Sequence, residues 1–386
     1  MATKDSFITF GAPLFGDAEV QEVVQSIRSG WVGTGPKVHK FEEIFRAYKN
    51  VSSSAAVNSC TAGLHLSLKA LDLKPGDEVI TTPMTFCATI NAIIHSGATP
   101  ILADIDPFSM NIDPAEVEKK ITKKTKCILP VHFAGRACDM DSLTEISKIH
   151  NLSMIEDCAH AIETTYKGKP AGTFGDFGCF SFYATKNIAT GEGGMVISND
   201  EEKIGRIKML ALHGMSKDAW KRFSDSGYQH YYVEEAGFKY NMMDIQAALG
   251  IHQMAKISQF RSYREKIWKR YNEAFSDLPI TLPTEIEDHS EHAYHLYTIL
   301  IDEKKVGLTR DQMLNQLNSF GVGCGVHYLS IPDHPFYQKT YMWKPTDYPN
   351  AKKIGEQTLS IPLSPRLSHQ QVDYIISSVR NIVKCH

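Results

Sequence analysis

The sequence predicts an α/β fold: a large domain with a mixed, mostly parallel sheet sandwiched by helices, then a smaller C-terminal α/β domain. Two observations predict it. Apolar runs of strand length alternate with helical segments through the first half of the chain. A long helical stretch at 245–275 then separates this region from one with a different pattern.

Taken in order, residues 17–30 read as a helix, because Val20, Val23, Val24 and Ile27 recur at helical spacing and Gly30 supplies a stop. Residues 61–72 read as another, with Thr61 as its cap and Leu64, Leu66, Leu68 and Leu71 along it. Strand-like runs follow at Glu78–Thr81, Thr99–Ala103, Lys126–Val131, Ser153–Ile155, Gly178–Phe182 and Gly194–Ser198. Helical segments near 88–96, 114–121 and 139–150 separate several of them, the arrangement that gives parallel pairing. Ile245, Leu249, Met254, Ile257, Trp268 and Tyr271 mark the long helix, and the domain boundary is placed inside it, giving 1–255 and 256–386. Tyr294–Ile301 reads as a strand, and 309–319 and 368–383 as helices.

Composition narrows the function. At 386 residues the chain can bury a large core, and 42% hydrophobic with 22% charged residues is ordinary for a globular protein. A net charge of −3 offers no bulk attraction to nucleic acid or anionic lipid. The densest basic run, Lys119 to Lys126, reads as a solvated helix end, and there is no basic helix-turn-helix. No apolar stretch approaches the roughly 18 residues of a membrane span, and Met1–Ser6 lacks a secretory hydrophobic region. Eight cysteines with no C-x-x-C pair and no metal-ligand spacing read as reduced and packed, which implies a cytoplasmic protein without a metal site.

The chemistry concentrates at two places. Phe180-Ser181-Phe182-Tyr183-Ala184-Thr185-Lys186 sets a lysine between an aromatic run and the turn Thr190-Gly191-Glu192-Gly193-Gly194. Upstream, an apolar run ends in Glu156-Asp157-Cys158-Ala159-His160. Pyridoxal phosphate needs such a pair: a lysine amine to form a Schiff base with its aldehyde, and an acid to keep its ring nitrogen protonated. Partial burial would favour the neutral, nucleophilic amine of Lys186. Asp157 alone could be a turn acid, but open α/β sheets place ligands at strand carboxyl ends. His160 is either a contact to the phenolic oxygen of the cofactor or a satisfied histidine beside it. Asn58–Leu64 joins small hydroxyl residues to a helix start, so Thr61 and Ala62 are phosphate candidates, with Ser181 as a further hydroxyl. Phe86 is either a ring stacked on the cofactor or core.

These residues together resemble the DegT/StrS family of sugar-nucleotide aminotransferases, within the fold type I (aspartate aminotransferase) superfamily. The resemblance covers nearly the whole chain: Gly30–Pro36, Asn58–Leu64, Thr85-Phe86, Asp104 to Pro107, Val131-His132 with Gly135, Glu156–Ala161, Gly172–Met195, Gly237–Gly250, His327-Tyr328 and Ser360–Leu363. It implies that Lys186 carries pyridoxal 5′-phosphate and later shuttles a proton. It also implies that Asp157 holds the ring nitrogen, His160 the phenolic side and Thr61, Ala62 and Ser181 the phosphate, with Phe86 stacked.

Family members are homodimers whose partner loop reaches the phosphate. Many carry Gly-x-Asn-x-Arg in that loop; this chain has Gly237-Phe238-Lys239-Tyr240-Asn241-Met242, leaving open whether Lys239 or Asn241 makes the contact. The variant resembles the branch that aminates UDP-linked 4-keto pentoses and 4-keto-6-deoxy sugars. The implied reaction moves an amino group from L-glutamate, through pyridoxamine phosphate, to a nucleotide-linked keto-sugar destined for a polysaccharide or glycan. Gly33, Thr34, His327 and Tyr328 are candidates for the sugar and nucleotide side; the alternative is a loop turn and packed aromatics. Related dehydratases replace the lysine with histidine, so Lys186 favours transamination. A keto-cyclitol aminotransferase, a dehydratase that kept its lysine and a poorly active regulatory protein are the competing readings.

Overall fold

The computed structural model describes residues 7–216 and 230–385; Met1–Ser6, read above for a leader, lies outside them. Strands β1 (Ser53–Val57), β2 (Glu78–Thr81), β3 (Thr99–Leu102), β4 (Thr125–Leu129) and β5 (Ser153–Asp157) are followed by a short hairpin, β6 (Thr165–Tyr166) and β7 (Lys169–Pro170). Then come β8 (Phe177–Ser181) and β9 (Gly194–Ser198). The main sheet has the order β1-β9-β8-β5-β4-β2-β3. Strands β3, β2, β4, β5 and β8 run parallel. Strand β9 runs antiparallel to both neighbours, with Ala55 opposite Val196 and Phe180 opposite Met195. The mixed, mostly parallel sheet is therefore as expected, and the carboxyl ends Asp157 and Ser181 of the neighbouring interior strands β5 and β8 lie at the same end of the sheet.

Apolar cores cover both faces. Leu64, Leu66 and Leu68 of the helix Cys60–Ala70 pack with Ile204 and Ile207 of the helix Glu201–Ala211 over Val79, Ile155 and Val196. On the other face Phe41 and Phe45, from the helix Pro36–Lys49, meet Phe180, Phe182 and Met195. The helix Asp244–Phe275 contributes Ala247 to Ile257 to this core. Its later residues Ile267, Trp268, Tyr271 and Phe275 enter a separate core with β10 (Tyr297–Leu300), β11 (Thr358–Ile361) and the helix His369–Lys384. Ile8 joins that second core and bridges to Val322, so the amino-terminal segment closes against the carboxyl-terminal region.

Three expectations change. Ser59, not Thr61, caps the helix Cys60–Ala70, because Ser59 is extended and its hydroxyl accepts from the Ala62 N–H at 3.1 Å. The strand expected over Tyr294–Ile301 begins only at Tyr297, since Tyr294 has φ 49°, outside the β region. The stripe that predicts the helix Asp17–Ser29 faces solvent: Val20 is 58% and Ile27 59% exposed, while Glu19 is buried. Glu19 turns inward because Lys256 donates to both of its oxygens at 2.6 and 2.7 Å and Gln253 to one at 2.7 Å.

Candidate functional site

Asp157 is the last residue of β5, and its carboxylate is buried. Its Oδ1 accepts from the Ala159 N–H at 3.1 Å and its Oδ2 from the Thr89 hydroxyl at 2.9 Å. The Cys60 thiol lies 4.0 Å from Oδ1. Burial raises the pKa of Asp157, opposed by the Ala159 and Thr89 donors and by Lys186.

Lys186 follows the β8 end, on a turn closed by its own N–H donating to the Tyr183 carbonyl at 2.8 Å. Burial pulls its ammonium down to about 8, against the opposing pull of Cys60 and Asp157. The next residue anchors the turn. Asn187 Nδ2 donates to Glu163 at 2.7 Å and to the Ala293 carbonyl at 2.9 Å, and its Oδ1 faces His295 Nδ1 at 2.8 Å. The two acceptors on Nδ2 fix which end of the amide is the oxygen, and because an amide oxygen only accepts, His295 Nδ1 must be the donor.

His160 Nδ1 accepts from the Ala134 N–H at 3.2 Å, which leaves the ring proton on Nε2, 3.0 Å from the Tyr328 hydroxyl. The two rings are stacked at 18°. Burial and Lys186 hold His160 and His295 well below the ordinary histidine value and His327 down to about 4. All three are neutral at physiological pH. Phe86, 59% exposed, lies 6.1 Å from Tyr328 between ring centroids. His327 lies within electrostatic reach of Lys186, with its Nδ1 2.9 Å from the Ser360 hydroxyl.

The amino end of the helix Cys60–Ala70 abuts β9 so closely that a Cβ on Gly194 would lie 2.6 Å from the Cys60 nitrogen. Thr61 is exposed at that end and Ala62 buried, with its N–H turned to Ser59. Ser181 Oγ lies 3.4 Å from the Tyr183 nitrogen.

Gly33 and Thr34 join a different group. The Asp244 N–H donates to the Gly33 carbonyl at 2.8 Å, and Thr34 donates to the Met242 carbonyl at 2.6 Å. Asn241 donates to Thr34 and accepts from Lys239 Nζ, both at 2.6 Å. The chain thus brings together Lys186, Asp157, His160, Phe86 and Tyr328, and separately Gly33, Thr34, Lys239 and Asn241. It does not pair Gly33 and Thr34 with His327 and Tyr328. Sequence reasoning missed Thr89, Asn187, His295 and Cys60; their signal is tertiary, apart from the position of Asn187 next to Lys186.

This donor set fits pyridoxal phosphate. A buried carboxylate suits a ring N–H⁺, a lysine of lowered basicity suits an aldehyde, and a helix amino end packed tightly beneath a glycine suits a phosphate. An exposed phenyl ring stands beside them.

Comparison with known proteins agrees. The model of the DegT/DnrJ/EryC1/StrS aminotransferase family matches residues 13–380. The spore coat polysaccharide biosynthesis protein SpsC of Bacillus subtilis is 48% identical over 382 residues, covering 99% of this chain and 98% of that protein. Among solved structures, Spr1654 of Streptococcus pneumoniae in its PMP form superposes with a TM-score of 0.91 at 34% identity, covering 98% and 99% of the two chains. PseC of Helicobacter pylori, an aminotransferase of pseudoaminic acid biosynthesis, superposes with a TM-score of 0.91 at 29% identity, covering 99% and 100%.

Proposed function

The chain belongs to the DegT/DnrJ/EryC1/StrS aminotransferase family, and from that premise we propose that it transfers an amino group from L-glutamate to a nucleotide-linked 4-keto sugar. The coarser statements are firm: the fold is type I, the cofactor is pyridoxal phosphate with pyridoxamine phosphate as its aminated form, and the chain is an aminotransferase of a sugar-aminating family. When bound, the cofactor supplies a carbonyl for the lysine amine and a ring that accepts electrons.

The observation that carries the reading is the meeting of Lys186 and Asp157 at the carboxyl ends of the central strands. In it, Lys186 holds the cofactor and moves the proton at the reacting carbon, and its lowered basicity supports that role. Asp157 holds the ring nitrogen. His160 and Tyr328 orient the ring's phenolic side, which moves Tyr328 from the sugar side to the cofactor side of the site. Phe86 stacks; the first turn of the helix Cys60–Ala70, with Thr61, Ala62 and Ser181, takes the phosphate. Gly33, Thr34 and His327 remain proposed contacts to the substrate.

A homodimer completes this reading. Val20 and Ile27 on the helix Asp17–Ser29, and Trp31 and Val32 just before Gly33, are exposed apolar side chains, which supports a partner on this segment. Lys239 Nζ donates to Asn241 Oδ1 at 2.6 Å, so the two side chains sit together and both remain proposed contacts to the partner's phosphate. The similarity to SpsC supports a product destined for a polysaccharide. The division at 255/256 also stands as a proposal, supported by the change of core along the helix between Ile257 and Ile267.

The test is to convert the protein to its pyridoxamine form and titrate it with a panel of nucleotide keto-sugars. The reading expects a 4-keto sugar nucleotide to restore the visible cofactor band. Restoration by keto-cyclitols alone would overturn the substrate assignment.

A further inference from the structure

We propose that Thr85 and Thr89 are positioning residues that keep the Asp157 carboxylate ionised and turned toward the cofactor's ring nitrogen, an inference that rests on the assignment of Asp157 to that nitrogen. The three side chains form a line. Thr89 Oγ1 lies 2.9 Å from Asp157 Oδ2, and Thr85 Oγ1 lies 2.8 Å from Thr89 Oγ1.

An ionised carboxylate only accepts, so the Thr89 hydrogen must go to Oδ2. Thr89 then accepts, and Thr85 must supply the hydrogen between them. Were Asp157 protonated, it could donate to Thr89 and the line could run the other way. The order of the two hydroxyls is thus tied to the charge of Asp157.

Burial makes the line matter. Thr85 is 3%, Thr89 1% and Asp157 4% exposed, so solvent cannot replace a lost hydroxyl. The remaining donors, the Ala159 N–H and the distant Cys60 thiol, both serve Oδ1 and leave Oδ2 to Thr89.

Backbone geometry reinforces this. Phe86 is the extended residue before the helix Cys87–Ser96, and Thr89 sits in its first turn, where the positive end of the helix favours a nearby anion. One turn therefore displays the Phe86 ring and, through the residues on either side of it, fixes the acid. The spacing Thr85–Phe86–Thr89 couples ring stacking to ring protonation.

The test uses pyridoxal phosphate labelled with ¹⁵N at the ring nitrogen, bound to the full chain, with neither amino donor nor sugar. The wild type should give a pyridinium shift. Thr89→Val should move the signal toward free pyridine and weaken cofactor binding by at least about tenfold, the scale of a lost hydrogen bond to a charged group. Thr89→Ser should match the wild type, and Thr85→Val should fall between. A Thr89→Val protein with the wild-type shift and affinity would overturn the proposal. If that variant does not fold, Thr85→Val decides: a move toward pyridine supports the line, and an unchanged shift sinks it. Asp157→Asn is the control. If it too keeps the pyridinium, the assignment of Asp157 has failed and this inference with it. Only that control bears on the proposed reaction; a failure of the threonine variants alone leaves it standing.

Discussion

Lys186→Met should stabilise the cofactor-free protein at neutral pH, and the gain should vanish in alkali. The drop of the Lys186 pKa from 10.5 to about 8 corresponds to a cost of about 3 kcal/mol at ~1.4 kcal/mol per unit. The downward shift already includes the attraction of Asp157. Because the native value lies below the unfolded one, the folded protein carries the full cost below about pH 8. Between about 8 and about 10.5 the native lysine is neutral while the unfolded one is still charged, so the cost fades with rising pH. The same shift suits the role proposed for Lys186. At pH ~7.5 about a quarter of Lys186 side chains would be neutral, against about one in a thousand for an ordinary lysine. Urea unfolding of the wild type and Lys186→Met, without cofactor, across this pH range measures the difference. A variant no more stable than the wild type at pH ~7, or an advantage that stays constant to pH ~10, would refute the reasoning.

Further outcomes follow from the same geometry. Ser59→Ala should cost about 1 kcal/mol of stability through loss of the helix cap, while Thr61→Ala should leave unfolding in denaturant nearly unchanged. Gly194→Ala should weaken binding of pyridoxal phosphate, measured by titration of the cofactor-free protein, because its Cβ would lie 2.6 Å from the Cys60 nitrogen and push back the helix end. His160 and His295, held well below the usual range, should show no imidazole titration near 6.5 by NMR; a step there would contradict the neutral tautomer assigned to His160.

Much of this site can be read along the chain because its chemistry lies at element ends. The apolar run that becomes β5 stops at an acid, the run that becomes β8 leads to a lysine, and a polar turn precedes the helix Cys60–Ala70. Orientation is less legible. Ser59 and Thr61 are both capping residues, and the backbone settles between them by extending Ser59, with φ −166° and ψ 158°. Periodicity in the helix Asp17–Ser29 marks an apolar stripe but not what covers it; the ion pair of Glu19 with Lys256 decides which face turns inward. Sequence adjacency pairs Tyr328 with His327, yet Tyr328 meets His160 across the site. Likewise Thr34 finds Asn241 rather than His327. These pairings depend on how distant segments fold together, which local pattern does not encode. The Thr85–Thr89–Asp157 line lies hidden for the same reason: each threonine alone is an ordinary buried hydroxyl.

The central claim is that Lys186 carries the cofactor and passes its amino group chemistry onward. Absorbance spectra of the purified protein with pyridoxal phosphate, before and after L-glutamate, alongside Lys186→Ala, test it most directly. The account predicts a band at about 410–420 nm that moves to about 330 nm with glutamate, and its loss in Lys186→Ala. A band unchanged in Lys186→Ala would contradict it.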